Sequence, residues 1–109
     1  MAVSVKISGS LSAVAGVEST LATITDAGVY QAAIDTSGLA AGDTATITGY
    51  GKARAADAEQ AAFVFDVAGG MAAPLVITPP LASPHHCRLT FRLAPGASAA
   101  TVPWGVYQA

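Results

Sequence analysis

The residues best equipped for chemistry in this chain are His85, His86 and Cys87, which stand side by side. Imidazole and thiolate bind zinc or copper, and a thiol beside a histidine can act as a nucleophile. Spacing argues against both roles. Neighbouring residues on a strand point to opposite faces, so His86 and Cys87 do not share an ion. No second Cys or His cluster completes a four-ligand set. Cys87 falls in an apolar alternation with Leu89, Phe91 and Leu93 and reads as an inert core thiol. The acids Asp26, Asp35, Asp43, Asp57 and Glu59 all sit where turns are expected, the place where carboxylates bond the backbone. Asp35 and Asp43 flank one loop, but their spacing is not that of an EF-hand. Gly49 and Gly51, around Tyr50, precede neither a helix nor a Lys-Ser/Thr pair, so they form no phosphate loop. They read as points where a strand bends or twists. The residues therefore supply no catalytic, cofactor-binding or metal-ligating set.

Those residues are carried by a chain of 109 residues, enough for one domain, 1–109, with a real core and no need of metal or disulfide. It is 52% hydrophobic but only 11% charged, against about 25% for an average soluble domain. The apolar excess is mostly Ala. So few charges point either to a surface much covered by copies of the chain or by a partner, or to the Ala-rich bias of a high-GC source. Net charge is −2, with no basic run and no aromatics interleaved with Arg, which points away from nucleic acid. Gly, Thr and Pro break every apolar stretch short of the roughly 18–20 residues of a membrane helix. The N-terminus lacks the basic-then-apolar layout of a signal peptide. One cysteine suits a protein made in a reducing cytosol.

The elements follow from period-two alternation. Val3, Val5 and Ile7 predict a half-buried first strand ended by Gly9, followed by a loop or irregular segment from Leu11 to Glu18. Thr20–Thr25 is a second strand, with Asp26-Ala27-Gly28 as a hairpin turn. Tyr30, Ala32 and Ile34 share one face of a third strand. Asp35-Thr36-Ser37-Gly38 is then a side-chain-capped turn. The Thr-rich run that follows predicts a longer strand reaching Arg54. Ala61, Phe63, Phe65 and Val67 give the strongest core signal. Leu75–Ile77 is a short β run that Pro74 and Pro79-Pro80 mark as short or at an edge. Cys87, Leu89, Phe91 and Leu93 face inward from a strand whose Arg88, Thr90 and Arg92 face out, and Thr101–Tyr107 closes the chain. Seven or eight short strands, with Gly/Pro/Asp turns at about ten-residue spacing, indicate an all-β domain. An antiparallel β-sandwich is favoured, with a small β-barrel as the alternative.

Three features bear on partners. Gly28-Val-Tyr-Gln-Ala recurs letter for letter as Gly105-Val-Tyr-Gln-Ala. This is either chance in a biased composition or a sign of two strands in equivalent environments. Trp104, after Pro103, is either a core plug or an interface anchor. Lys52, Arg54, Arg88 and Arg92 lie on the polar side of expected strands. They form one cationic patch if those strands are neighbours, and four solvated charges if not.

The run Ala27–Asp43, followed by an extended strand with Tyr50, Lys52 and Arg54, resembles a group of small virion structural proteins of tailed phages. The likeness continues through the basic-apolar strand Arg88-Leu-Thr-Phe-Arg-Leu and the Pro103-Trp104 strand, covering about Thr20 to the C-terminus. The resemblance implies a β domain that decorates or cements a capsid in many copies, often as a trimer. The major capsid protein would be its partner and the virion surface its location, after synthesis in the host cytoplasm. It implies no enzyme activity. The other readings are a tail or fibre-attachment subunit, and a ligand-binding β module such as one for carbohydrate.

Overall fold

Alternating side chains become nine strands in the computed structural model, which describes residues 4–108. They are β1 (Ser4–Ala13), β2 (Glu18–Ile24), β3 (Gly28–Asp35), β4 (Thr44–Gly51), β5 (Gln60–Ala68), β6 (Leu75–Ile77), β7 (Leu81–Ser83), β8 (Cys87–Leu93) and β9 (Ala100–Gln108). The five-stranded sheet runs β1-β9-β3-β6, with β7 also on β3, and the four-stranded sheet runs β2-β8-β4-β5. The strand pairs are antiparallel. Two separate sheets packed face to face make a β-sandwich, not a barrel. Between them, fully buried, lie Tyr30, Ala32, Ile34, Val102 and Val106 from one sheet and Ile47, Cys87, Leu89, Phe91 and Leu93 from the other.

The expected third strand, capped turn and Cys87–Leu93 alternation are as read. The Asp35 carboxylate accepts from the Ser37 amide at 2.9 Å, closing that turn. Other expectations change. Of the expected first strand, Val3 lies outside the described residues. The rest does not end at Gly9, because pairing with β9 carries it through Leu11↔Val102 to Ala13↔Ala100. Val5 and Ile7 are 60% and 45% exposed rather than half-buried, since β1 is an edge strand with a register shift between them. Asp26–Gly28 is not a hairpin, because β2 and β3 belong to different sheets. The link arches across the sandwich and is tied down by the Tyr30 hydroxyl, which donates to the Asp26 carbonyl at 3.0 Å, and by a Lys6–Asp26 ion pair.

The β4 strand stops at Gly51, so Lys52 and Arg54 fall in its connection to β5. β5 is an edge strand, which leaves Phe63 and Phe65 half-buried and Ala61 exposed. The two rings stack with centroids 5.8 Å apart. Phe63 lies across Gly49, where a Cβ would come within 2.4 Å of the ring. A register shift follows at Gly49/Tyr50, as a bend there requires.

The ninth strand, β7, was hidden by Pro79-Pro80. β6 and β7 act as one edge partner of β3, interrupted where two prolines have no N–H to give. Thr78 bridges the gap: its N–H donates to the Ala32 carbonyl and its Oγ1 accepts from the Ala32 amide, both at 2.9 Å. The Gly-Val-Tyr-Gln-Ala repeat does not mark equivalent environments. Its copies pair antiparallel as neighbours, with Gln31↔Tyr107 and Ala32↔Val106. They sit in opposite phase, so Tyr30 is buried and Val29 exposed while Val106 is buried and Tyr107 is not. Ala109, the repeat's last letter, lies outside the described residues.

Candidate functional site

The outward faces of the two sheets differ, and that difference is the feature most able to carry function. On the four-stranded sheet, β2, β4 and β8 are adjacent, which brings Glu18 and Thr20, Tyr50, and Arg88 and Thr90 together on the outer side. Tyr50 and Thr90 both donate their hydroxyls to Glu18 Oε2, at 2.8 and 2.7 Å. Arg88 lies over the Tyr50 ring, 4.3 Å from its centroid, a cation–π contact. Its Nε and Nη2 donate to Glu59 Oε1 at 2.9 and 2.6 Å, and its Nη1 donates to Thr20 at 3.1 Å. His86 Nε2 bonds the other Glu59 oxygen at 2.8 Å. Glu59 stands just before β5 and His86 just before β8, so the network staples two strand entries together.

The charges in this network compensate one another. Arg88, then His86, hold the Glu59 carboxyl below its ordinary value, and Glu59 in turn raises Arg88. The Thr90 and Tyr50 hydroxyls hold Glu18 down, and Glu18 pushes Tyr50 up. At the same sheet's edge Thr46 donates to Asp66 at 2.8 Å.

The cations named from the sequence come together only in part. Arg88 and Arg92 share the outer face of β8, and Arg88 is committed to Glu59. Arg54 sits in the β4–β5 connection and donates twice to Asp57, at 2.9 and 3.0 Å. Lys52 lies in that same connection, and neither it nor Arg92 makes an ion pair among the described residues. Trp104 packs half-buried against the core edge, over Gly9 of β1. Cys87 is buried, and that burial pushes its thiol above its ordinary value.

The outer face of the five-stranded sheet carries almost no charge. Cross-strand partners share a face, which places Val5, Tyr107, Val29, Ala33, Leu75 and Ile77 together on it. Val5, Val29, Leu75 and Ile77 are 44–60% exposed. The charged residues of these strands are Lys6, at the β1 register shift and paired with Asp26, and Asp35, at the end of β3. The Ser37 hydroxyl and amide hold Asp35 below its ordinary value. A shallow groove of about 300 Å³ crosses the middle of this face, lined by Ala33, Asp35, Leu75, Pro103 and Tyr107. Gly105 forms its floor, where a Cβ would stand 3.1 Å from the Tyr107 hydroxyl.

This face went unread because Val5, Val29, Leu75 and Ile77 look like core residues. One signal was present: Val29 and Ala33, in the set that alternates with Tyr30, Ala32 and Ile34, are apolar where a solvated strand face would be polar. Among the described residues no three His, Cys, Asp or Glu side chains lie close enough to hold a metal ion. Among those residues no helix is long and apolar enough to cross a membrane. No family model, curated protein or solved structure matches the chain.

Proposed function

We propose that the chain is a non-enzymatic structural subunit of a virion, a decoration or cement protein. It coats the shell of a tailed phage in many copies and stabilises it by bridging subunits of the major capsid protein. The observation that carries this reading is the contrast between the faces: one polar and self-compensated, the other nearly uncharged, with an apolar strip (Val5, Val29, Ala33, Leu75, Ile77, Tyr107) beside a β1–β9 side lined by the neutral Ser8, Ser10, Ser12 and Thr101. Contiguous apolar surface of that kind marks a place covered by protein. A coat subunit needs a rigid body with one solvent face and one covered face, and repetition on a lattice then adds avidity without a deep site.

A carbohydrate-binding module would instead present a row of exposed rings. Phe63, Phe65 and Trp104 pack against the core, and Tyr50 is held beneath Arg88. The test is co-sedimentation with empty shells assembled from the cognate capsid protein. Saturable binding at a fixed number of copies per shell is the expected result, and failure to sediment with shells overturns the reading. Sedimentation with isolated tails and not with shells replaces it with a tail or fibre-attachment role.

A further inference from the structure

The apolar face needs a cover, and we propose that a second copy of this chain supplies it, two five-stranded sheets stacking face to face about a two-fold axis. The inference rests on reading that face as a protein-covered surface, and it differs from the threefold assembly that the phage resemblance implies.

Area is the first argument. At ordinary strand spacings the sheet is about 19 Å wide and about 30 Å long, a footprint on the order of 600 Å². Pleated surface exceeds its footprint, which brings the face near the roughly 800 Å² that each partner buries in a specific interface.

Charge is the second. Asp35 is the one charge standing on this face apart from Lys6, which pairs with Asp26, so a strongly acidic or basic partner would meet no counter-charge. An identical face costs less than a charged one: each copy brings only the Asp35 carboxylate, at the end of β3 and already bonded by the Ser37 amide. The opposite sheet cannot serve as the contact so readily, because its Arg88, Glu59, Glu18 and Tyr50 would have to be desolvated.

Shape is the third. The groove over Gly105 lies on β9, in the interior of the sheet between β1 and β3, and exposed Leu75 and Val5 stand at its sides. A two-fold axis displaced from the groove toward one flanking ridge sets that ridge of each copy against the groove of the other. Sheets stacked in this way lie about 10 Å apart.

The test compares the full chain with two variants by analytical ultracentrifugation from low to high micromolar concentration. Ala33→Glu puts a charge at the centre of the face, pointing outward. Val64→Glu puts the same charge on the exposed outer side of the other sheet, where the present residue is 60% exposed. Circular dichroism and thermal unfolding establish that both variants fold.

The expected wild-type mass is twice the 10.8 kDa of the chain. Ala33→Glu should weaken association by roughly a hundredfold, and Val64→Glu should leave it unchanged. A wild type that stays monomeric at high micromolar concentration, one that forms a trimer, or a dimer indifferent to Ala33→Glu each overturns the inference. Shell co-sedimentation separates this outcome from the function. A monomer that binds shells leaves the cement reading standing without the dimer, and a dimer that ignores shells does the reverse.

Discussion

Glu59 accepts from Arg88 and His86 at once, and this makes acid the condition to which the molecule should respond most clearly. Its folded-state pKa lies below its ordinary value of about 4.5, as does that of Glu18. A depressed carboxylate contributes stability that is fully present above the unfolded value and is lost as pH falls through the folded one. The urea midpoint should therefore hold steady above about pH 5 and fall below the ordinary carboxylate range. Glu59→Gln should lower stability at neutral pH and flatten that acid limb, and an acid limb as steep as the parent's would show that Glu59 is not its source. Core residues offer a sharper comparison. Phe91 is fully buried, so Phe91→Ala should cost about 3–5 kcal/mol. Phe65 is only half-buried at the edge strand, and Phe65→Ala should cost clearly less. Equal midpoint shifts in chemical denaturation would contradict the burial difference.

At the scale of elements, β3 and β8 could be read almost residue by residue, because a period-two apolar pattern faces a packed core in both. β5 shows where that signal misleads. Its Phe63 and Phe65 alternate as well as any core strand, yet alternation cannot tell a central strand from an edge. The second half of β1 was illegible for the opposite reason. Ser-Leu-Ser-Ala alternates, but over only four residues and after Gly9, too short a run to stand out, and it becomes strand through its pairing with β9. The outer apolar face was out of reach because it exists only once β1, β3, β6 and β9 lie side by side, and strand order is not written locally. Pro79-Pro80 correctly announced a break but concealed that the chain resumes beside the same partner. Thr78 makes that resumption possible, and it yields a test. Thr78→Val keeps the shape but removes the Oγ1 acceptor of the buried Ala32 N–H, which should cost about 1–3 kcal/mol. Thr78→Ser, which retains the hydroxyl, should recover most of that stability. Equal losses in the two variants would assign the role to the lost methyl instead.

For the molecule as a whole, the chain order and the spatial order disagree, and β9 shows the consequence. It is last of the described strands in chain order, yet it lies between β1 and β3 and adds Val102 and Val106, both fully buried, to the core. Without it, the inner residues of β3 lose their neighbours on one side, and β1 has no strand partner in its sheet. β1, though longer, is an edge whose strand residues are mostly exposed. The two ends of the chain should therefore behave very differently on truncation. A chain lacking residues 1–9 should still fold, with lower stability from the lost Lys6–Asp26 pair and the uncovered Trp104 edge. A chain lacking residues 100–109 should show no cooperative unfolding transition by circular dichroism. A synthetic peptide of residues 100–109 should then restore that transition when added in trans, because the gap it fills has hydrogen-bonding strands on both sides. Cooperative unfolding of the 1–99 chain on its own would show that β3 and β1 can close over the gap and that β9 is dispensable to the sheet.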